Sequence, residues 1–132
     1  PDFESEVMFC QIFPGLRPKY IEMAIDNGVR GIVLNSYGAG NVPGGDLSLI
    51  PAINKANKAG IPVVIATQCV EGSAKMFLYE AGGAALEAGA ISAFDMTSEA
   101  AVTKLMWILA QTKNLEEIKE MMRTIFCGEI TA

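Results

Sequence analysis

Ile61-Pro62-Val63-Val64-Ile65-Ala66 is apolar from end to end, and four of its six residues are β-branched. A strand with one wet face alternates polar and apolar side chains. This one does not, which is the pattern of a strand buried on both faces of a parallel sheet. Working outward, Gly60 stops a helical stretch, Leu47 to Ala59, in which Leu49, Ile50, Ile53 and Ala56 recur at helical spacing. Upstream, Gly31 to Ser36 (GIVLNS) reads as another strand. Before it, Pro18 to Asn27 reads as a short amphipathic helix carrying Ile21, Ala24 and Ile25, with Pro18 in its first turn and Gly28 as its stop. Val7 to Phe13 is a strand closed by Pro14-Gly15. Downstream, Tyr79 to Ala88 reads as a helix ending at Gly89, and Ala90 to Ala93 as a short fourth strand. Thr97 or Ser98 caps a strong helix whose apolar face is Val102, Leu105, Met106, Ile108 and Leu109. Asn114 with Glu117 caps a last helix, striped by Leu115, Ile118, Met121 and Met122, through about Arg123. Strands alternating with helices imply right-handed crossovers and a parallel sheet, hence an α/β domain of three layers with helices on both faces.

The chain has 132 residues, 51% of them hydrophobic, which suits one domain, 1–132, with a real core. Ten basic residues face 15 acidic ones, for a net charge of −5, and the lysines and arginines are scattered. Direct nucleic-acid binding needs them clustered. Cys10, Cys69 and Cys127 are odd in number and form no C-x-x-C pair, which disfavours a disulfide framework or a structural zinc site. Cys10, in an apolar run, is expected to be a buried reduced thiol, as suits a reducing cytoplasm. No apolar run approaches the ~20 residues of a membrane span. The chain opens Pro1-Asp2-Phe3 without an initiator Met, so further protein is expected upstream.

The chain contains no His, which removes the usual neutral-pH base, every Ser-His or Cys-His arrangement and the commonest metal ligand. No metal or cofactor is expected. Gly38-Ala39-Gly40-Asn41-Val42-Pro43-Gly44 follows a strand but carries Pro43 where a dinucleotide fingerprint needs its third glycine. Glu116, Glu117 and Glu120 read as a solvated helix face rather than an acid–base pair.

Ligands of open α/β sheets bind beyond the carboxyl ends of the strands. Three loops lie there: Pro14-Gly15-Leu16, Tyr37 to Asp46, and Thr67 to Ser73. In the second, Gly38 and Gly40 permit close backbone approach, and Asn41 offers a carboxamide to a ligand or to its own loop. Cys69 reads as a small buried hydrophobe or as a thiol at a ligand site. Asp95-Met96-Thr97-Ser98-Glu99 reads as helix capping.

Several of these runs, in order, resemble the C-terminal half of type I, cytoplasmic-type L-asparaginases. They are Phe13-Pro14-Gly15, Gly31 through Pro43, Thr67-Gln68-Cys69, Ala88-Gly89-Ala90-Ile91, Phe94 through Ala101, Lys104-Leu105, and Gly128-Glu129-Ile130-Thr131. The resemblance covers about Met8 to Ala132. It implies a four-stranded parallel sheet, and an enzyme that converts L-asparagine to L-aspartate and ammonia with a nucleophilic threonine in an N-terminal domain absent from this chain. It implies no catalytic residue here; this domain would complete the substrate site and a dimer interface, with Gly40 and Asn41 near the substrate of a homodimer or tetramer. It also implies a regulatory site at the positions of Asn35 and Cys69. There Asn35 stands where such a site carries Arg, and a neutral carboxamide does not pair a carboxylate as a guanidinium does. Two other readings remain: the asparaginase-like subunit of a glutamyl-tRNA amidotransferase, and a non-catalytic assembly or binding module.

Overall fold

The computed structural model describes residues 3–12, 16–36, 49–67, 87–93 and 96–124. Strands β1 (Val7–Gln11), β2 (Gly31–Ser36), β3 (Val63–Thr67) and β4 (Ile91–Ser92) form a sheet of order β1-β2-β3-β4. Every neighbouring pair is parallel. The helices are α1 (Pro18–Asp26), α2 (Ile50–Lys58), α3 (Ser98–Gln111) and α4 (Leu115–Arg123). The expected α/β architecture, a four-stranded parallel sheet between helices, is the observed one.

Right-handed crossovers between successive neighbours place their helices on one face. On that face α1 and α2 pack side by side and bury Ile21, Ile53 and Ala56 against Ile32, Leu34, Val63 and Ile65. On the other face α3 lies across β1, β2 and β3, and α4 packs on α3. There Leu105, Ile108, Leu109, Ile118 and Met122 cover Val33, Val64, Ala66 and Ile91. Alternate residues of β2 and β3 therefore enter two different cores, which is why Ile61 to Ala66 reads as continuously apolar. Each fully buried Leu or Ile contributes about 1.5–3 kcal/mol relative to its exposed state.

Local chemistry sets the ends of the elements. β3 begins at Val63 rather than Ile61: Pro62 has no N–H to donate, although its carbonyl accepts from Ile32 N at 3.0 Å. β1 ends at Gln11, short of the expected Phe13, and β4 is only Ile91–Ser92. α2 starts at Ile50, with Pro51 in its first turn, rather than at Leu47. Thr97 is the cap of α3, its Oγ1 accepting from Ala100 N at 3.1 Å. Asn114 Oδ1 accepts from Glu117 N at 3.0 Å. The reciprocal half of that box is absent among the described residues, because Glu117 accepts from Thr112 Oγ1 instead. The helix expected over Tyr79 to Ala88 lies outside the described residues except at its end.

The turns before β2 and β3 are the same structure twice. Gly28 (φ +90°) and Gly60 (φ +78°) sit just past α1 and α2. Val29 N donates to Ala24 O and Gly28 N to Ile25 O; Ile61 N donates to Ala56 O and Gly60 N to Asn57 O. This is the paired closure of a Schellman motif, which needs a residue at ease with positive φ.

One burial expectation changes, and one burial is new. Cys10 is a free thiol but only half-buried, on an edge strand. Lys104 is buried within the apolar side of α3. Its Nζ donates to Met122 O at 3.2 Å and to Thr124 O, so an ammonium group secures the last carbonyls of α4.

Candidate functional site at the carboxyl ends of the strands

The parallel register aligns the strand ends at one rim. Gln11 stands opposite Asn35, Asn35 opposite Ala66, and Ser36 opposite Thr67. The chain thus leaves β2 toward Gly40 and Asn41 from a place beside the one where it leaves β3 toward Cys69. Gly40, Asn41, Cys69, Pro14, Gly15 and Asp95 lie outside the described residues. Of the candidate site residues, Asn35 is the one the structure places.

Asn35 is 1% exposed. Its Nδ2 donates to Gln11 Oε1 at 2.9 Å, while Gln11 Nε2 donates to Asn35 O at 2.9 Å and to Ile12 O at 3.4 Å. Ile12 N also donates to Asn35 O at 2.7 Å. Side chain and main chain thereby bracket the ends of β1 and β2. Asn35 Oδ1 is buried and has no hydrogen-bond partner among the described residues. Gln11 carries no signal of its own in the sequence; what finds it is the register, which puts two carboxamides side by side on adjacent strands.

Little else among the described residues suits catalysis. Partial burial pushes the Cys10 thiol up, so it stays protonated at neutral pH. Glu116 and Glu120 are exposed, beside Lys119 and Arg123 one turn on, so the solvated helix face is as expected. Among the described residues no cluster of His, Cys, Asp and Glu suits a metal ion, and no helix is long and apolar enough to cross a membrane. The carboxamides and backbone groups described at this rim can bind and orient a polar ligand, and none of those described groups is a nucleophile.

The model of the family described as "Glutaminase/Asparaginase C-terminal domain" matches residues 6–122. This chain belongs to that family. The L-asparaginase of Thermococcus kodakarensis is 41% identical over 131 residues, covering 99% of this chain and 39% of that protein. The solved structure of the thermostable L-asparaginase from the same organism superposes with a TM-score of 0.89 at 40% identity, over 100% of this chain and 40% of that one. A glutamyl-tRNA(Gln) amidotransferase subunit of Pyrococcus horikoshii is 41% identical over 128 residues, covering 97% of this chain and 28% of that protein. The asparaginase C-terminal domain thus spans well under half the length of these relatives.

Proposed function

We propose that this domain, 1–132, is the non-nucleophilic part of a cytoplasmic amidohydrolase that converts L-asparagine to L-aspartate and ammonia. The carrying observation is the near-complete superposition on an L-asparaginase. A chain without His, whose strand ends carry carboxamides rather than an acid–base pair, suits a part that shapes a site rather than one that performs the attack. The nucleophile belongs to the N-terminal domain of the complete protein, and Gly40 and Asn41 border the substrate of a homodimer or tetramer. At the Asn35 and Cys69 positions the neutral Asn35 carboxamide argues against an asparagine-binding regulatory site, because it does not pair a ligand carboxylate as a guanidinium does.

The test is ammonia release by the full-length protein from asparagine and from glutamine. Hydrolysis of asparagine is expected; deamidation of neither sinks the reading. Asn41→Ala is expected to lower kcat/KM roughly tenfold, the worth of one good hydrogen bond. A second reading, ammonia supply for transamidation of glutamyl-tRNA, is favoured by the similarity to the amidotransferase of Pyrococcus horikoshii. Ammonia release dependent on a partner protein and charged tRNA would favour it.

A further inference from the structure

The described surface is unevenly apolar. The large apolar side chains that stand exposed among the described residues, Phe3, Phe9, Tyr20 and Met23, all belong to β1, its lead-in or α1. β1 is an edge strand, paired among the described residues with β2 alone. Glu6 O accepts from Arg30 N, and Ile12 N donates to Asn35 O. Alternate residues of a strand turn their main-chain groups to the same side, so Met8 and Cys10 also face β2. The N–H and C=O groups of Val7 and Phe9 face outward and have no partner among the described residues. Such an edge is a template for another strand, and charge or proline commonly blunts it. Val7–Gln11 carries neither.

The helix above this edge adds to the strip. Asp26 of α1 pairs with Lys55 of α2. Tyr20 lies across the Ile21 stripe from Asp26, on the flank turned away from α2 and toward the β1 edge. Charge appears only at the two ends, with opposite signs. Glu6 stands exposed at the amino end of β1. Arg17 and Lys19 stand exposed at the start of α1, which follows the carboxyl end of β1. Neither Glu6 nor Arg17 has an ion-pair partner among the described residues.

We propose that a second copy of the chain docks on this edge, with β1 antiparallel to β1 across a two-fold axis at Phe9. Reversal sets the acidic end of one strip against the basic end of the other. A strip that is uncharged in the middle and opposite in sign at its ends is therefore complementary to itself. Phe9 meets Phe9 on one face of the joined sheet, and Tyr20 and Met23 of the two α1 helices meet on the other. The outward main chain of Val7 and Phe9 gains its partners. An unrelated strand would satisfy the main chain equally; the reversal of charge favours the copy. The contact does not depend on which amide the complete protein hydrolyses, and ammonia release is measured apart from it.

The experiment uses the full-length protein with Phe9→Cys, and with Asn54→Cys on the exposed side of α2 as control. The parent sets the background from its native cysteines. Residues facing each other across such a pair lie about 5.5 Å apart, within disulfide reach. Under mild oxidation Phe9→Cys is expected to form covalent dimer at least about tenfold faster than the control. In that background Glu6→Arg and Arg17→Glu should each slow cross-linking about tenfold at low salt. Combined, they should restore it to within about threefold, because the swapped charges again meet across the axis. Tyr20→Cys is the reporter if Phe9→Cys fails to fold. Cross-linking no faster than the control overturns the proposal, and so does a double charge swap no better than the single ones.

Discussion

The two ends of the sheet are built by different rules. At the amino ends, the turns into β2 and β3 are one motif used twice, with glycine at the same place and hydrogen bonds of the same pattern. At the carboxyl ends, no such repetition occurs among the described residues. Instead one pair of carboxamides joins two strands and leaves a buried acceptor open. Repetition marks the end that serves folding, where any well-closed helix stop will do. The singular, incompletely satisfied arrangement lies at the end where open α/β sheets generally take their ligands.

That contrast can be tested by where substitutions act. The largest stability effect is expected from Lys104→Met, which removes the donor from the buried Met122 O and the part-buried Thr124 O at the end of α4. The loss should be about 2–3 kcal/mol by urea denaturation, the range for bonds to a charged donor. A larger effect on KM than on stability would move Lys104 to the ligand side of the contrast. Asn41→Ala should do the opposite, lowering kcat/KM roughly tenfold while leaving the denaturation midpoint within error. Gly28→Ala and Gly60→Ala should each cost about 1 kcal/mol, and by nearly equal amounts, with no change in KM. Unequal costs would show that the two turns are alike in form only.

The smallest effect concerns pH. Glu4 Oε2 accepts from Glu6 N at 3.2 Å, and Oε1 lies 3.3 Å from Lys113 Nζ and 4.0 Å from Arg30. The Glu6 amide, aided by Lys113 and Arg30, holds its carboxyl below the ordinary value. A carboxylate depressed in the folded state contributes stability that is present above its unfolded pKa and lost as pH falls through the folded one. Glu4→Gln should therefore lower stability slightly at neutral pH and flatten the acid side of the profile, so that variant and parent converge below the folded pKa of Glu4. A steeper acid slope in the variant would contradict the assignment.

The amino-end structure was legible because helix stops are local. Gly28, Gly60 and Gly89 each follow an apolar helical pattern, and all three adopt positive φ. The continuous apolar run at Ile61 likewise announces a strand covered on both sides. Three things were not legible. Lys104 reads as an ordinary helix residue, since only the return of α4 over α3 buries it. Gln11 gains its role from register, and a shift of one residue along β1 would turn it to the other face. The half-burial of Cys10 follows from β1 being the edge strand, which chain order alone does not specify. Asn35 stands out through the position it holds in the family resemblance, yet its partner comes only from the fold.

The strand order has a consequence for the time course of synthesis. As the chain grows, β1, β2 and β3 with α1 and α2 complete one face of the sheet in sequence, each strand laid beside the last. The opposite face, with Val33 and Val64, waits for Leu105 and Leu109 of α3. A nascent or stalled chain that ends before α3 displays a bare apolar sheet surface, the kind of exposure that draws incomplete chains into aggregates. Quality control during translation therefore matters most in that interval, and the helix that closes it is the strongest one in the sequence.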